Sequence, residues 1–405
     1  SLWLVTRAKD HPFTCVDHAI RCGDSLVGLT RSQIEDFTWH DTRTSARHFF
    51  SEEVRKRTAA ALRERQNLLG LGDDYGTPQL KREKLEKADE LLDLVRFIGD
   101  AAVSAFFAAD KDKAREAKRV ELAERLSEYL GKGELKKRPT EEVNALRGGT
   151  FPVTPFHWEV EFPEVFDRNT PGFDAIVGNP PFLGGTMIST ANGDAYKDWL
   201  YRLFTESGNR MDLVAYFFRH AFNLLRQNGA LGLIATNTIA QGDTRKGGLR
   251  YVCTNGGVIF DAQRRIKWPG VAAVTVSSVH IFRGIWVDSR HLDGQRVEQI
   301  TAFLFKNGGH DDPLHLASNA ARSFEGFKIA GQGFVFDDHD EEGSPLCEME
   351  RLLANPRNRE RILPYIGGEE VNDSPTHAFH RYVIDFDDLD ETEAARWPEL
   401  LEIVR

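Results

Sequence analysis

Three apolar segments in a fixed order constrain this chain more than any other feature. Ala175-Ile176-Val177 reads as a short strand, and Met211 to about Arg226 as a strongly apolar helix stopped by Asn228-Gly229. Ala230 to Asn237 is a continuous apolar run of the kind buried on both faces of a parallel sheet. A strand, a helix and a strand in that order make a crossover unit, which sends the second strand back parallel to the first. The expected class is therefore α/β. Such sheets bind ligands beyond the carboxyl ends of their strands, which directs attention to the residues after Val177.

Those residues are Gly178-Asn179-Pro180-Pro181-Phe182-Leu183-Gly184-Gly185. Each proline has its φ held near −65° and no N–H to donate, and Asn179, preceding a proline, is pushed toward an extended conformation. The tip then presents two acceptors, the Asn179 side-chain oxygen and the Pro180 carbonyl, with the flat face of Phe182 beside them. This combination suits a planar base carrying an exocyclic amine. Such an amine is a poor nucleophile because its lone pair is delocalised into the ring. Fixed acceptors on its two protons favour the localised lone pair that develops during attack on a methyl donor. A base in a duplex has to leave the stack to reach such a pocket, where an aromatic ring can receive it. The alternative is a Pro-Pro turn that merely closes a core strand.

Composition bounds the rest. At 405 residues, 41% of them hydrophobic, the chain is long enough for a large α/β domain with additions. It holds no apolar run of membrane-spanning length and no signal peptide. Cys15, Cys22, Cys253 and Cys347 are scattered without metal-ligand spacing, which suits a reducing cytoplasm and leaves no metal site expected. A formal charge of −10 argues against indiscriminate coating of nucleic acid, so any DNA contact has to come from local basic patches. The chain begins at Ser1 inside what reads as a helix, Leu2 to Val5, and the expectation is a piece of a longer protein.

Thr14 to Arg21 alternates as a strand would and delivers Cys22-Gly23-Asp24-Ser25-Leu26 at its end. Asp24 is a candidate acceptor for the exocyclic amine of an adenosine cofactor; alternatively, Asp24 or Ser25 caps the next turn. Residues 46–149 are charge-dense and helical, broken at Gly70 to Pro78, with a third helix at about Asp110 to Leu130 whose mixed charges read as a solvated face. Phe156 to Phe162 alternates at period two and is expected as a strand ended by Pro163. Strands are also expected near Gly257 to Asp261 and Ala273 to Phe282. The stretch containing Arg245, Lys246, Arg250, Arg264, Arg265 and Lys267 is locally basic, a candidate DNA contact. Trp268 is either a core residue or a base-stacking one, and His280 reads as a satisfied core histidine. Leu363 to Glu370 and Arg381 to Phe386 suggest a turn and a strand of a second, β-rich domain.

Taken in order, Cys-Gly-Asp-Ser-Leu, Pro-Phe-His-Trp with Phe-Pro-Glu-Val-Phe, Gly-Phe-Asp-Ala-Ile-Val-Gly-Asn-Pro-Pro-Phe, and Asp-Leu with an apolar helix ending Asn-Gly-Ala-Leu-Gly-Leu-Ile resemble the gamma-class adenine-specific DNA methyltransferases. The likeness is greatest to the large type IIG restriction-modification enzymes and their phage-defence relatives. It covers residues 1 to about 285. It implies a class I, Rossmann-like methyltransferase sheet using S-adenosylmethionine, incomplete on its amino-terminal side because the family's Gly-rich methionine loop and acidic ribose-binding residue precede the position of Leu2. It also implies that Asn179 to Phe182 is the catalytic tetrapeptide, that Asp24, with Ser25 beside it, contacts the cofactor, and that Trp268 is a second aromatic contact to the flipped adenine. The expected organisation is methyltransferase core over 1–45 and 150–285, an inserted helical arm over 46–149, and over 286–405 a linker and the start of a target-recognition domain. The expected partners are double-stranded DNA and other subunits or domains of a defence system. Two other classes stay open: a non-catalytic DNA-recognition or assembly module, and an enzyme methylating RNA or protein amines.

Overall fold

A computed structural model describes residues 19–40, 50–71, 77–132, 138–205, 207–268, 275–313, 332–340, 343–373, 375–387 and 389–404. They form two compact units that divide at Asp312 and Pro313. The expected α/β class is the one observed. In the first unit a six-stranded mixed sheet contains β1 (Phe173–Gly178), β2 (Leu225–Thr236), β3 (Gly257–Lys267), β4 (Thr275–Arg283), β5 (Arg290–Leu292) and β6 (Gln295–Val297) in the order β1-β2-β4-β3-β5-β6.

The crossover expected between Val177 and Ala230 is present. β1 pairs parallel with β2 in the register Ile176↔Leu231 and Gly178↔Leu233, and the connection carries the helix Leu213–Leu224. Strand β4 is antiparallel to both β2 and β3, between which it lies. Parallel β1 and β2 place their carboxyl ends, Gly178 and Thr236, on the same side of the sheet.

Several local expectations need correction. The β1 strand is not buried: Asp174, Ala175 and Val177 are exposed, Val177 at 86%, and one edge of β1 has no strand partner among the described residues. Asn228-Gly229 does not stop the helix, which ends at Leu224; Asn228, with a φ of 62°, lies inside β2 where the register to β1 slips. Strand β2 is fully buried on one face only, alternating buried and half-buried residues. Phe156 to Phe162 is not a strand. Its alternation reflects an aromatic cluster, with Trp158, Phe162 and Phe166 packed around Phe173, while Trp158–Glu161 makes a single helical turn. Of the strand expected at Thr14 to Arg21, residues 14–18, Cys15 among them, and the Leu2 to Val5 helix lie outside the described residues. Ala19 to Arg21 are not extended, and Arg21 is drawn instead into ion pairs with Asp89 and Glu161.

The helical segment comprises α1 (Ser51–Leu69), α2 (Thr77–Phe107) and α3 (Asp112–Lys132), followed by a short helix at Glu141–Gly148. On α2, Leu92, Val95 and Ile98 are buried, and Leu80 is exposed. The carboxyl-terminal half of α2 is buried almost all round and joins the core of the sheet; the Phe106 ring sits 5.1 Å from Trp199 and 5.4 Å from Trp39. The charges on α3 are largely spent internally: Arg115 is buried and pairs with Asp198, Arg119 donates to the Phe37 carbonyl, and Arg125 pairs with Glu142.

His157 is the polar centre of this packing. Its ring is 1% exposed, accepts the Leu29 N–H at Nδ1 over 2.9 Å, and places Nε2 3.3 Å from Asp100. Gly99 lets the ring in, since a Cβ there would sit 2.5 Å from Nε2. His157→Ala should orphan a buried N–H and leave a cavity, costing about 3 kcal/mol or more; the midpoint of denaturant unfolding followed by circular dichroism measures it.

The second unit is a three-stranded antiparallel sheet, β7 (Val335–Phe336), β9 (Arg381–Ile384) and β8 (Ile362–Tyr365) in that order, with a helix α4 at Gly368–Asp373. Its own core gathers Phe336, Met349, Leu352, Ile384, Trp397 and Leu400.

Candidate active site

The site is built where β1 and β2 end. Asn179 is exposed just beyond β1, Pro180 is buried beneath it, Pro181 is exposed, and Phe182 is half-buried. Leu183 accepts the Leu213 N–H at 2.9 Å, which docks the tetrapeptide onto the start of the crossover helix. Gly185 closes the turn. A Cβ at Gly185 would lie 2.5 Å from the Arg210 carbonyl carbon, so only glycine allows this approach.

Asp212 ties the strand ends together. One oxygen accepts the Gly185 N–H at 3.1 Å and the other accepts the Thr238 hydroxyl at 2.6 Å, while the Asp212 N–H donates to Thr244 at 3.1 Å. Thr238 in turn shares a 2.7 Å contact with Thr236 at the end of β2. Thus one carboxylate spans the loop after β1, the amino terminus of the helix and the turn after β2. In the sequence Asp212 stands out only as part of the Asp-Leu opening of the helix. An acid immediately before a strongly apolar helix was the available signal, but its partners are far apart in the chain.

Phe182 and Trp268 come together. Their ring centroids are 6.4 Å apart and their planes meet at 84°. That edge-to-face arrangement is not a parallel slot, so a flat ligand would rest on one ring against the edge of the other. Pro269 and Gly270, which follow Trp268, lie outside the described residues.

Asp24 and Ser25 also reach this region. Asp24 donates its N–H to the Thr154 carbonyl at 2.8 Å, and its Oδ1 accepts from the Leu26 N–H at 3.0 Å and the Tyr196 hydroxyl at 3.2 Å. The capping alternative is the one observed, since this carboxylate closes the Leu26 turn. Burial raises its pKa, with the bonds from Leu26 and Tyr196 offsetting part of the rise. Tyr196, held far above its ordinary pKa by burial and by Asp24, remains a neutral donor. A cavity of about 360 Å³ is lined by Ser25, Asn179, Pro180, Pro181, Phe217 and His220, bringing the two ends of the sequence pattern to one space.

The basic stretch is largely neutralised. Arg245 is a correction: it is 1% exposed, pairs with Asp312, donates to the His310 carbonyl and lies 3.9 Å from the Phe303 ring centroid, so it is a core residue rather than a DNA contact. Lys246 pairs with Asp312 at 3.0 Å, Arg250 with Asp311 at 2.8 Å and Arg264 with Asp293 at 2.7 Å. Arg265 and Lys267 are exposed on β3 next to Trp268. His280 is not enclosed in the core: it is half-exposed, 3.4 Å from Asp261, with its ring beside Phe260.

With this geometry in place, the likeness to known proteins falls on the same segment. Residues 107–255 match the Eco57I restriction-modification methylase family model, spanning the carboxyl end of α2 through the tetrapeptide and β2. Over 249 residues the chain is 24% identical to a putative type II restriction enzyme and methyltransferase of Methanocaldococcus jannaschii, covering 56% of this chain and 19% of that protein. Over 57 residues it is 44% identical to the adenine-specific methyltransferase BrxX of Escherichia coli O9:H4 (strain HS), covering 14% of this chain and 4% of the relative. The chain thus spans a fifth or less of these relatives. The type IIL restriction-modification enzyme MmeI, solved in complex with DNA, aligns over 88% of this chain and 51% of its own at 17% identity, with a TM-score of 0.41. The fold is α/β, a mixed six-stranded sheet packed with helices, and no helix among the described residues is long and apolar enough to cross a membrane.

His220 borders the cavity with a buried Nε2 that lacks a hydrogen-bond partner. Burial pushes its pKa down from 6.5 to about 4. Protonation therefore favours the unfolded chain: the stability contribution of neutral His220 is complete above pH 6.5 and is lost as pH falls from there toward 4. Each unit of difference is worth about 1.4 kcal/mol. Denaturant midpoints measured across this window should fall for the native chain and flatten in His220→Leu.

Proposed function

We propose that this chain carries the methyl-transfer face of an S-adenosylmethionine-dependent DNA methyltransferase that modifies the exocyclic N6 amine of an extruded adenine in a restriction-modification or phage-defence system. The carrying observation is the tetrapeptide at the end of β1: Asn179, Pro180 and Pro181 line a cavity together with Ser25, and Phe182, the next residue, meets the ring of Trp268. The residues present fit one wall of a cofactor site: Asp24 is a partly buried carboxylate held in place by Tyr196 and Leu26, and Ser25 opens onto the cavity. When bound, the cofactor supplies an electrophilic methyl group.

The chain's own residues do the rest. The Asn179 side-chain oxygen and the Pro180 carbonyl accept hydrogen bonds from the two N–H groups of the adenine amine, favouring the pyramidal nitrogen of the transition state without a strong base; the nitrogen, cationic once methylated, then gives up one proton to water. The Asp212 bridge keeps these acceptors from drifting relative to β2. Phe182 and Trp268 receive the extruded base, one by its face and the other by its edge. Arg265 and Lys267 lie beside Trp268 and serve as phosphate contacts on double-stranded DNA, with Lys246, Arg250 and Arg264 as charges held in reserve by Asp312, Asp311 and Asp293. The setting is the cytoplasm, with further subunits or domains of the defence system completing the assembly.

In the intact protein, Asn179→Ala should abolish methylation while leaving folding and DNA binding in place, at a barrier cost on the order of 3 to 4 kcal/mol. Transfer of labelled methyl groups to duplex DNA measures it, and a near wild-type rate would remove Asn179 from the chemistry.

Phe182→Tyr should be nearly silent because a stacking face survives, and Phe182→Ala should slow the reaction markedly. Trp268→Ala should weaken extrusion by roughly 1 to 3 kcal/mol without changing the sequence modified. Fluorescence of 2-aminopurine at the target position follows extrusion. An unchanged signal together with an unchanged methylation rate in Trp268→Ala would return Trp268 to a packing role.

A further inference from the structure

The second unit holds a group of side chains that the methyl-transfer reading does not use. One donor atom from each of Asp337, His339 and His380 falls within 4.8 Å of the other two. Their convergence follows from the pairing of β7 with β9. Phe336 stands opposite Tyr382, so Asp337, which leaves β7, and His380, which leads into β9, lie at the same end of the ladder. His339 folds back over Asp337, whose Oδ1 accepts the His339 N–H at 2.8 Å, and the two rings, His339 and His380, are 5.5 Å apart.

We propose that Asp337, His339 and His380 form a divalent transition-metal site, with zinc as the preferred ion. The argument rests on donor chemistry and spacing. Two imidazoles and one carboxylate suit zinc, whereas magnesium and calcium take oxygen ligands. Bond lengths of about 2.0 to 2.1 Å put tetrahedral donors roughly 3.3 to 3.4 Å apart. Asp337 Oδ1 and His339 Nδ1 already stand 3.4 Å apart. The anchor is firm, since Asp337 is 7% exposed and its N–H donates to the Ser344 carbonyl at 2.9 Å, while the His339 and His380 side chains are exposed enough to adjust by the remaining ångström.

A fourth residue orients the site. Glu370 of α4 is 1% exposed, is held in a bidentate pair with Arg381 at 2.6 Å, and places Oε1 3.4 Å from His380 Nδ1. Such a carboxylate accepts a hydrogen bond from the Nδ1–H and leaves Nε2 for the metal, the usual arrangement behind a metal-ligating histidine. Glu370 is thus a positioning residue, and the ion would join the segment after β7 to the segment before β9.

The test uses the full chain, dialysed against a chelator and titrated with zinc chloride by calorimetry, with cobalt(II) as the spectroscopic probe. The expected result is one tight equivalent of zinc and a visible cobalt spectrum with tetrahedral intensity. His339→Ala removes an exposed side chain and should leave the fold intact by circular dichroism. This variant and Asp337→Asn should each weaken binding at least tenfold and remove the cobalt bands, and Glu370→Gln should weaken it by about 10- to 100-fold. His377→Ala, an exposed neighbour outside the cluster, should bind as the parent chain does. Absence of a tight equivalent in the parent chain, or its persistence in both His339→Ala and His380→Ala, would overturn the proposal.

Discussion

The parallel pairing of β1 with β2 is the constraint on which the candidate site depends. Parallel neighbours cannot be joined by a tight turn, so the chain has to leave the sheet after Gly178, build a helix and return at Leu225. The return fixes the height at which Asn179 and Thr236 emerge, and the antiparallel insertion of β4 between β2 and β3 then directs the end of β3, with Trp268, toward the same end. Asp212 converts this topological arrangement into a rigid one. Its two oxygens hold residues whose separation in sequence is 53 positions, from Gly185 to Thr238, at hydrogen-bond distance from a single side chain. A loop tip carrying two prolines and a carboxylate-bridged base has few soft dihedrals left, which is what a preorganised pair of acceptors requires.

Much of this was legible in the residues because the relevant signals were local. Apolar continuity marked β2, helical periodicity marked the crossover helix, and the prolines marked the tip. What was misread depended on partners distant in the chain. Phe156 to Phe162 alternates in sequence, but the alternation serves aromatic contacts with Phe173 and a buried His157 that meets Leu29 and Asp100. Asn228-Gly229 has the chemistry of a helix stop, and the structure uses its left-handed preference to absorb a register slip within a strand. The same limit applies to Arg245. A run of basic residues reads as a surface patch until Asp311 and Asp312, more than 60 residues on, are seen to answer it.

That charge arrangement has its own meaning for a protein with a formal charge of −10. A chain of this balance is repelled by nucleic acid over long distances, so attraction has to be local and close-range. Lys246, Arg250 and Arg264 are each paired with a carboxylate, so on the proposed reading a phosphate would have to displace Asp312, Asp311 or Asp293 before it gained a cation. At the end of β3, Arg265 and Lys267 are exposed beside Trp268.

The outer edge of β1 gives the molecule a property unrelated to chemistry. Its backbone groups on that side have no strand partner among the described residues, and Val177 stands 86% exposed next to the reactive tip. A bare apolar edge is adhesive: it will take up any extended segment that offers a matching ladder, another copy of itself included. A segment laid along this edge would act on solubility as much as on structure. Since β1 ends at Gly178, immediately before Asn179, a strand added there would lie alongside the tip that Asp212 already holds.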